Sequence, residues 1–254
     1  MSGQMETVEQ TVTTLPEQEP ARAKPKQPRQ LVRFVFYKLD PQWLRLPAEQ
    51  RRAGREELLA IYDEYAQCSL IRSYALYGLR SDCDFMLWQA TYDLGHLQGL
   101  SSKIRRSAIG PYLPEVRSFL SMTKRSVYVG KGPRGAAHDP RLVITLEDKP
   151  YLFVYPFVKT RPWYALPLQE RKRMMDEHIR MGVAYPNIKI HTTYSFGLDD
   201  QEFVVAFESD SVADFLDLVQ EMRESEASQY TLRDTPMFTC VARSLPEILD
   251  DIGA

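Results

Sequence analysis

His178 follows Met174 and Met175 and precedes Met181 and Gly182, in a run of helical periodicity that opens at Leu166-Pro167. A histidine on an apolar helix face is costly unless its ring nitrogens find partners. Two partners suit it: a backbone carbonyl of the core, or a metal ion, since neutral imidazole is a common metal ligand. No second histidine or carboxylate lies one turn away at a zinc-like spacing, which disfavours an all-protein metal cage. An iron porphyrin needs only one axial histidine, because the macrocycle supplies the equatorial nitrogens, and the methionines suit its flat face. Tyr155, in the strand-like YPFVK, is the second residue able to do chemistry. An inward phenol in such a pocket can donate a hydrogen atom or carry a radical; a strand tyrosine with its hydroxyl at the sheet rim is the other reading. The three cysteines, Cys68, Cys83 and Cys240, have no metal-type spacing. They read as buried thiols in a reducing compartment rather than a disulfide framework.

The elements that position these residues come from an internal repeat. FVFY, then Trp43-Leu-Arg-Leu-Pro47 and QRR, recur as FVYP, then Trp163-Tyr-Ala-Leu-Pro167 and QERKR. SYALYGLRSDCDFMLW is echoed by TTYSFGLDDQEFVVAF, with Gly78 mapping to Gly197. The helix position of His178 is Leu58 in the first copy, and the strand position of Tyr155 reads as Phe36. Each copy predicts strand, helix, strand, turn, strand, helix, strand. Leu-Pro opens the first helix, with Pro167 near its first position and Gly182 at its end. GLDD is a hairpin turn. SVADFLDLVQEMRESEAS is an amphipathic helix capped by Ser211, with Val212, Phe215, Leu216, Val219 and Met222 inward. The order is ferredoxin-like. The fold class is therefore α+β: two fused ferredoxin-like repeats with antiparallel sheets, of the dimeric α/β-barrel type.

The 254 residues divide into a polar tail at 1–30, an N-terminal half at 31–128, a Gly- and Pro-rich loop at 129–150 and a C-terminal half at 151–254. The tail holds too few large apolar residues to offset its ordering entropy and reads as disordered. Apolar residues are 44% and charged residues 26%, as in a globular protein. The net charge of −2 gives no basic field for nucleic acid. No apolar run approaches the roughly 18 residues of a membrane span, and no secretory signal opens the chain. A cytoplasmic location is expected.

The segments YPFVK, PWYALPLQERKRMMDEH, YSFGLDDQEFVVAFE and MRESEAS resemble the chlorite dismutase superfamily, and within it the coproheme decarboxylases of bacterial haem synthesis. The likeness covers about residues 31 to 250. It implies porphyrin bound in the C-terminal half of subunits arranged as a homopentameric ring. The family's proximal histidine falls on His178 and its catalytic tyrosine on Tyr155, with Phe157 replacing the methionine of the motif. Propionate partners fall on Lys159, on Arg141, fourteen residues before Tyr155, and on Arg223 with Ser228. Such cations suit a ligand with several carboxylates. The implied activity is peroxide-dependent decarboxylation of two propionates of Fe-coproporphyrin III, giving haem b. A haem b peroxidase or chlorite dismutase-like protein and a non-catalytic haem-binding protein are the alternatives.

One position departs from the family. Chlorite dismutases place an arginine seven residues before the glycine of GLDD, and many decarboxylases a glutamine; here it is Ile190. Isoleucine cannot polarise chlorite. His191 is adjacent, but strand alternation turns it to the other face. His138, before Arg141, is the remaining distal group, a solvated loop histidine being its other reading.

Overall fold

The computed structural model describes residues 28–128 and 142–254. The first half runs β1 (Leu31–Tyr37), α1 (Ala48–Ala66), β2 (Leu70–Ala75), β3 (Phe85–Thr91), α2 (Leu94–Arg106) and β4 (Glu115–Met122). The second runs β5 (Tyr151–Lys159), a one-turn α3 (Arg161–Ala165), α4 (Leu168–Val183), β6 (Ile188–Tyr194), β7 (Phe203–Ser209), α5 (Val212–Glu224), β8 (Thr231–Arg233), β9 (Phe238–Ala242) and α6 (Leu245–Asp251).

The first half has strand order β4-β1-β3-β2 and the second β9-β5-β7-β6, the same ferredoxin-like order twice. The sheets meet edge to edge. Tyr74 and Ala75 of β2 pair with Ala242 and Val241 of β9, and Met122 of β4 pairs with Tyr194 of β6. The ring thus closes as a barrel, with β8 appended to β5. Its interior is apolar from both halves: Phe34, Phe36 and Trp88 from one, Leu152, Val154, Ala206 and Phe238 from the other. Alternation along each strand sends the remaining side chains outward, onto the helices.

The repeat is visible in the backbone. Pro47 and Pro167 precede their helices with identical torsions, φ −53 and ψ 142. Pro167 is thus the N-cap, one residue before the helix proper. Gly78 and Gly197 both sit at positive φ, 77 and 73, where a side chain costs roughly 1–2 kcal/mol. Gly182 lies inside the last turn of α4, which Ala184 caps.

Other expectations need correction. Phe36 faces the barrel interior, whereas Tyr155 belongs to the outer cluster with Phe153 and Phe207. The offset that relates Trp43 to Trp163 relates Tyr155 to Val35, which also faces the helices. A one-residue slip in a strand exchanges its faces. In α5, Phe215 and Leu218 are the buried residues, while Val212 and Leu216 are exposed. The true inward stripe is Phe215, Leu218, Val219 and Met222. Cys68 is exposed, unlike Cys83 and Cys240. Gln30 is already inside the fold: its backbone N donates to Thr123 Oγ1 at 2.9 Å and its side-chain oxygen accepts from Ile144 N at 2.6 Å. Helix α6 packs on the first half, with Leu245, Ile248 and Leu249 beside Leu58, and Arg51 donates to Gly253 O at 3.0 Å. It does so because β9 borders β2, so the chain leaves the sheet on that side. Among the described residues, no helix is long and apolar enough to cross a membrane.

Candidate functional site

The halves differ where helix meets sheet. In α1, Gly54, Leu58 and Ile61 are buried against the outer face of the first sheet. In α4 only Met174 is buried. The space that Leu58 fills in one half is part of a cavity in the other. That cavity measures about 620 Å³ and is bounded by α4, the outer faces of β5, β6 and β7, and segments 123–128 and 143–145. This is within the usual size of a small-molecule site, about 300–1,000 Å³. His178 enters from α4, and Tyr155, Phe157, Ile190, Val205 and Phe207 line the sheet side. A second recess of about 60 Å³ continues it, lined by Tyr155, Lys159, His178, Arg223 and Ser228. Five of the expected residues therefore meet at one place. Arg141 and His138 lie outside the described residues.

His178 is half-buried, and neither ring nitrogen has a hydrogen-bond partner among the described residues. That removes the carbonyl-bonded core histidine within this set. Burial, assisted by the nearby Lys159 ammonium, pushes its imidazole down to about 4. The ring is neutral at physiological pH and can offer a nitrogen lone pair.

Lys159, at the end of β5, is 8% exposed. Its Nζ donates to Ala227 O at 2.6 Å and lies over the rings of Trp163 and Phe157, 4.8 and 5.3 Å from their centroids. No carboxylate pairs with it among the described residues, and burial lowers it to about 8. A buried ammonium without a counter-ion is costly, and a bound carboxylate relieves that cost.

Tyr155 is 7% exposed and stacks on Phe207 at 5.7 Å. It is a wall residue rather than a rim residue. Burial first, and then Asp234, push its phenol well above the ordinary range, partly offset by Arg223. It therefore stays protonated, with its O–H bond intact. Its hydroxyl has no hydrogen-bond partner among the described residues.

Arg223 and Ser228 sit where α5 gives way to a 3-10 turn, Glu226–Tyr230. Arg223 Nη2 pairs with Asp234 Oδ2 at 2.6 Å, and Ser228 Oγ donates to Arg223 O at 2.7 Å. Asp234, which aims the guanidinium, had no signal in the sequence. Trp163 and Met222 were visible there only as repeat and core residues, yet both line the cavity.

Ile190 faces the cavity as expected, 42% exposed. His191 turns the other way and meets Glu208, with Nε2 to Oε2 at 2.8 Å. Among the described residues no group of three or more His, Cys, Asp or Glu forms a metal cage. The His178 imidazole and the buried Lys159 ammonium, neither hydrogen-bonded to a side chain among the described residues, and a largely apolar cavity between them fit an iron porphyrin bearing carboxylates, which brings its own equatorial ligands.

The sequence profile of the chlorite dismutase family matches residues 51–243. The chain is 33% identical over 167 residues to a coproheme decarboxylase of Mycolicibacterium smegmatis, covering 65% of this chain and 70% of that protein. It is 28% identical over 208 residues to a coproheme decarboxylase of Staphylococcus saprophyticus, covering 76% and 84%. Among solved structures, a haem-binding protein of Thermus thermophilus superposes with a TM-score of 0.81 at 26% identity, covering 89% of this chain and 96% of that one.

Proposed function

This chain belongs to the chlorite dismutase family, and from that premise we propose that it is a coproheme decarboxylase, using hydrogen peroxide to turn two propionates of Fe-coproporphyrin III into the vinyl groups of haem b. The observation that carries the reading is the convergence of His178, Tyr155 and the unpaired Lys159 on one recess. A haem carrier needs the first; a propionate-processing enzyme needs all three.

His178 Nε2 or Nδ1 would hold the iron, which with peroxide supplies the oxidising equivalents. Lys159, Arg223 and Ser228, together with Arg141, would anchor propionates. Arg is suited to bidentate carboxylate binding, and Lys159 gains the counter-ion it lacks. Tyr155 does the chemistry at carbon. Its Oη gives up a hydrogen atom, and the resulting phenoxyl radical takes one from the propionate β-carbon, restoring the O–H bond. Loss of a second electron then breaks the bond to the carboxylate. Each round converts a propionate, one hydrogen peroxide and one proton into a vinyl group, carbon dioxide and two waters. The porphyrin is substrate and redox centre together, so the protein contributes position and electrostatics. The family resemblance further implies a homopentamer acting in the cytoplasm.

The test is mass spectrometry of bound coproheme after stepwise addition of peroxide. Successive losses corresponding to one and then two decarboxylations are expected. Coproheme that stays intact, or is only bleached, overturns the reading in favour of a haem-binding protein.

A further inference from the structure

We propose that Asp234, beyond aiming Arg223, is the group that takes the phenolic proton of Tyr155 when that residue is oxidised. The inference rests on the peroxide-dependent reading above and names where the proton of Oη goes.

Strand β5 carries β8 and β9 along one edge: Val158 pairs with Arg233 of β8, and Val154 with Phe238 of β9. The connection between them, residues 234–237, therefore runs abreast of Tyr155, Pro156 and Phe157. Met237, at its end, packs in the cluster that holds Tyr155. Asp234, at its start, lines the small recess together with Tyr155. It is the only carboxylate among the residues that line that recess. Of the other groups there, Lys159 and Arg223 are cations, and His178 is the iron ligand in the reading above.

The two atoms that would exchange the proton are both free. Asp234 gives Oδ2 to Arg223 Nη2 at 2.6 Å, and its side chain is 16% exposed. Oδ1 has no partner among the described residues, and neither has Tyr155 Oη. Neither atom is one of the buried polar groups closed off from water, such as Trp43 Nε1 and Arg171 Nε. No hydrogen bond joins the two directly. The recess, about 60 Å³, has room for a bridging water, which needs roughly 10–15 Å³ and polar partners. The carboxylate is felt at the phenol: after burial, Asp234 is the main cause that raises the pKa of Tyr155.

Losing an electron alone would leave Tyr155 as a buried cation, so its proton must leave with the electron. An oxidised phenol is far more acidic than the phenol itself, so even a carboxylate held by arginine is base enough. The electron goes to the centre that peroxide has oxidised, and the proton goes through water to Asp234. The phenoxyl radical then takes a whole hydrogen atom from the propionate β-carbon, which restores the O–H bond. Asp234 releases its proton into the water formed from peroxide. Each round thus returns both side chains to their starting state.

The full chain is loaded with coproheme, mixed with peroxide and freeze-quenched. Electron paramagnetic resonance follows the radical that is missing in Y155F, and mass spectrometry counts the vinyl groups. D234N keeps an oxygen that accepts from Arg223 but takes no proton. It should slow radical formation and decarboxylation about 100-fold or more, and D234E should restore most of the rate. D234A should regain rate when formate is added, because a small carboxylate in the recess replaces the missing one. A second readout needs no iron. In the unloaded chain, a fluorinated tyrosine placed at position 155 is titrated by 19F NMR. Its phenol should titrate at lower pH in D234N than with Asp234 present. If D234N does not fold, D234S serves, because a hydroxyl takes up no proton. Wild-type radical rates in a folded Asp234 variant overturn the proposal, as does an unmoved titration. A loss of coproheme affinity that accounts for the whole loss of rate also overturns it, leaving Asp234 as a holder of Arg223 alone. If the Tyr155 radical forms through Asp234 but the propionates stay intact, the decarboxylase reading fails and this assignment stands.

Discussion

Lys159 Nζ lies 2.6 Å from the carbonyl oxygen of Ala227 and pairs with no carboxylate among the described residues. The ammonium is thus kept in the unloaded protein at the expense of stability, ready for an anionic ligand. Lys159→Met should make the unloaded protein more heat-stable while weakening coproheme binding about 10- to 100-fold, the scale of a hydrogen bond to a charged group. Melting curves and absorbance titrations measure both effects. A variant that loses stability and affinity together would mark the lysine as structural. The pH dependence follows from the lowered pKa. Below about 8 the lysine is already charged and affinity should be flat. Above 8 binding must take up a proton, so affinity should fall as pH rises.

His178 carries a depressed pKa of its own. An imidazole at about 4 in the fold and 6.5 in the unfolded chain binds protons preferentially when unfolded, between those values. The unloaded protein should therefore lose stability as pH falls from 6.5 towards 4 and gain none from this group above 6.5. His178→Leu, copying Leu58, should remove that slope and abolish the iron–histidine band in resonance Raman spectra. An unchanged band would transfer the ligand role to another histidine.

Tyr155→Phe keeps the ring that stacks on Phe207 and removes only the O–H bond. Coproheme affinity should survive, because His178, Lys159, Arg223 and Ser228 are untouched. Product formation should stop before the first vinyl group appears. Conversion to haem b at the wild-type rate, followed by chromatography, would show that the radical lies elsewhere.

Ile190 places an apolar side chain in the cavity at the position where a chlorite-degrading relative needs a cation. An oxygen electrode should record little oxygen from chlorite with the haem b form. Rapid, sustained release would mean that another residue supplies the positive charge.

Much of this protein follows from local chemistry in its sequence. The duplicated order of elements, the glycines at Gly78 and Gly197 and the prolines that start α1 and α4 are local requirements, written where they act. The contrast between Leu58 and His178 is legible for the same reason: both occupy one position of one helix pattern, and only one of them needs a partner. The slip between Phe36 and Tyr155 shows the limit, because strand period is two and a repeat with a shifted register hides which face a residue takes.

Other features were decided only in three dimensions. Edge-to-edge closure of the two sheets depends on pairings between distant strands, and it carries α6 across to the first half. Asp234 reaches Arg223, and Ala227 reaches Lys159, because the turn after α5 folds back over the end of β5. His191 and Glu208 meet as neighbours on adjacent strands, brought together by the register of β6 against β7. A one-dimensional pattern states which side chains need partners. Which partners they receive is a matter of register and closure, and those are set by the packing of the whole barrel.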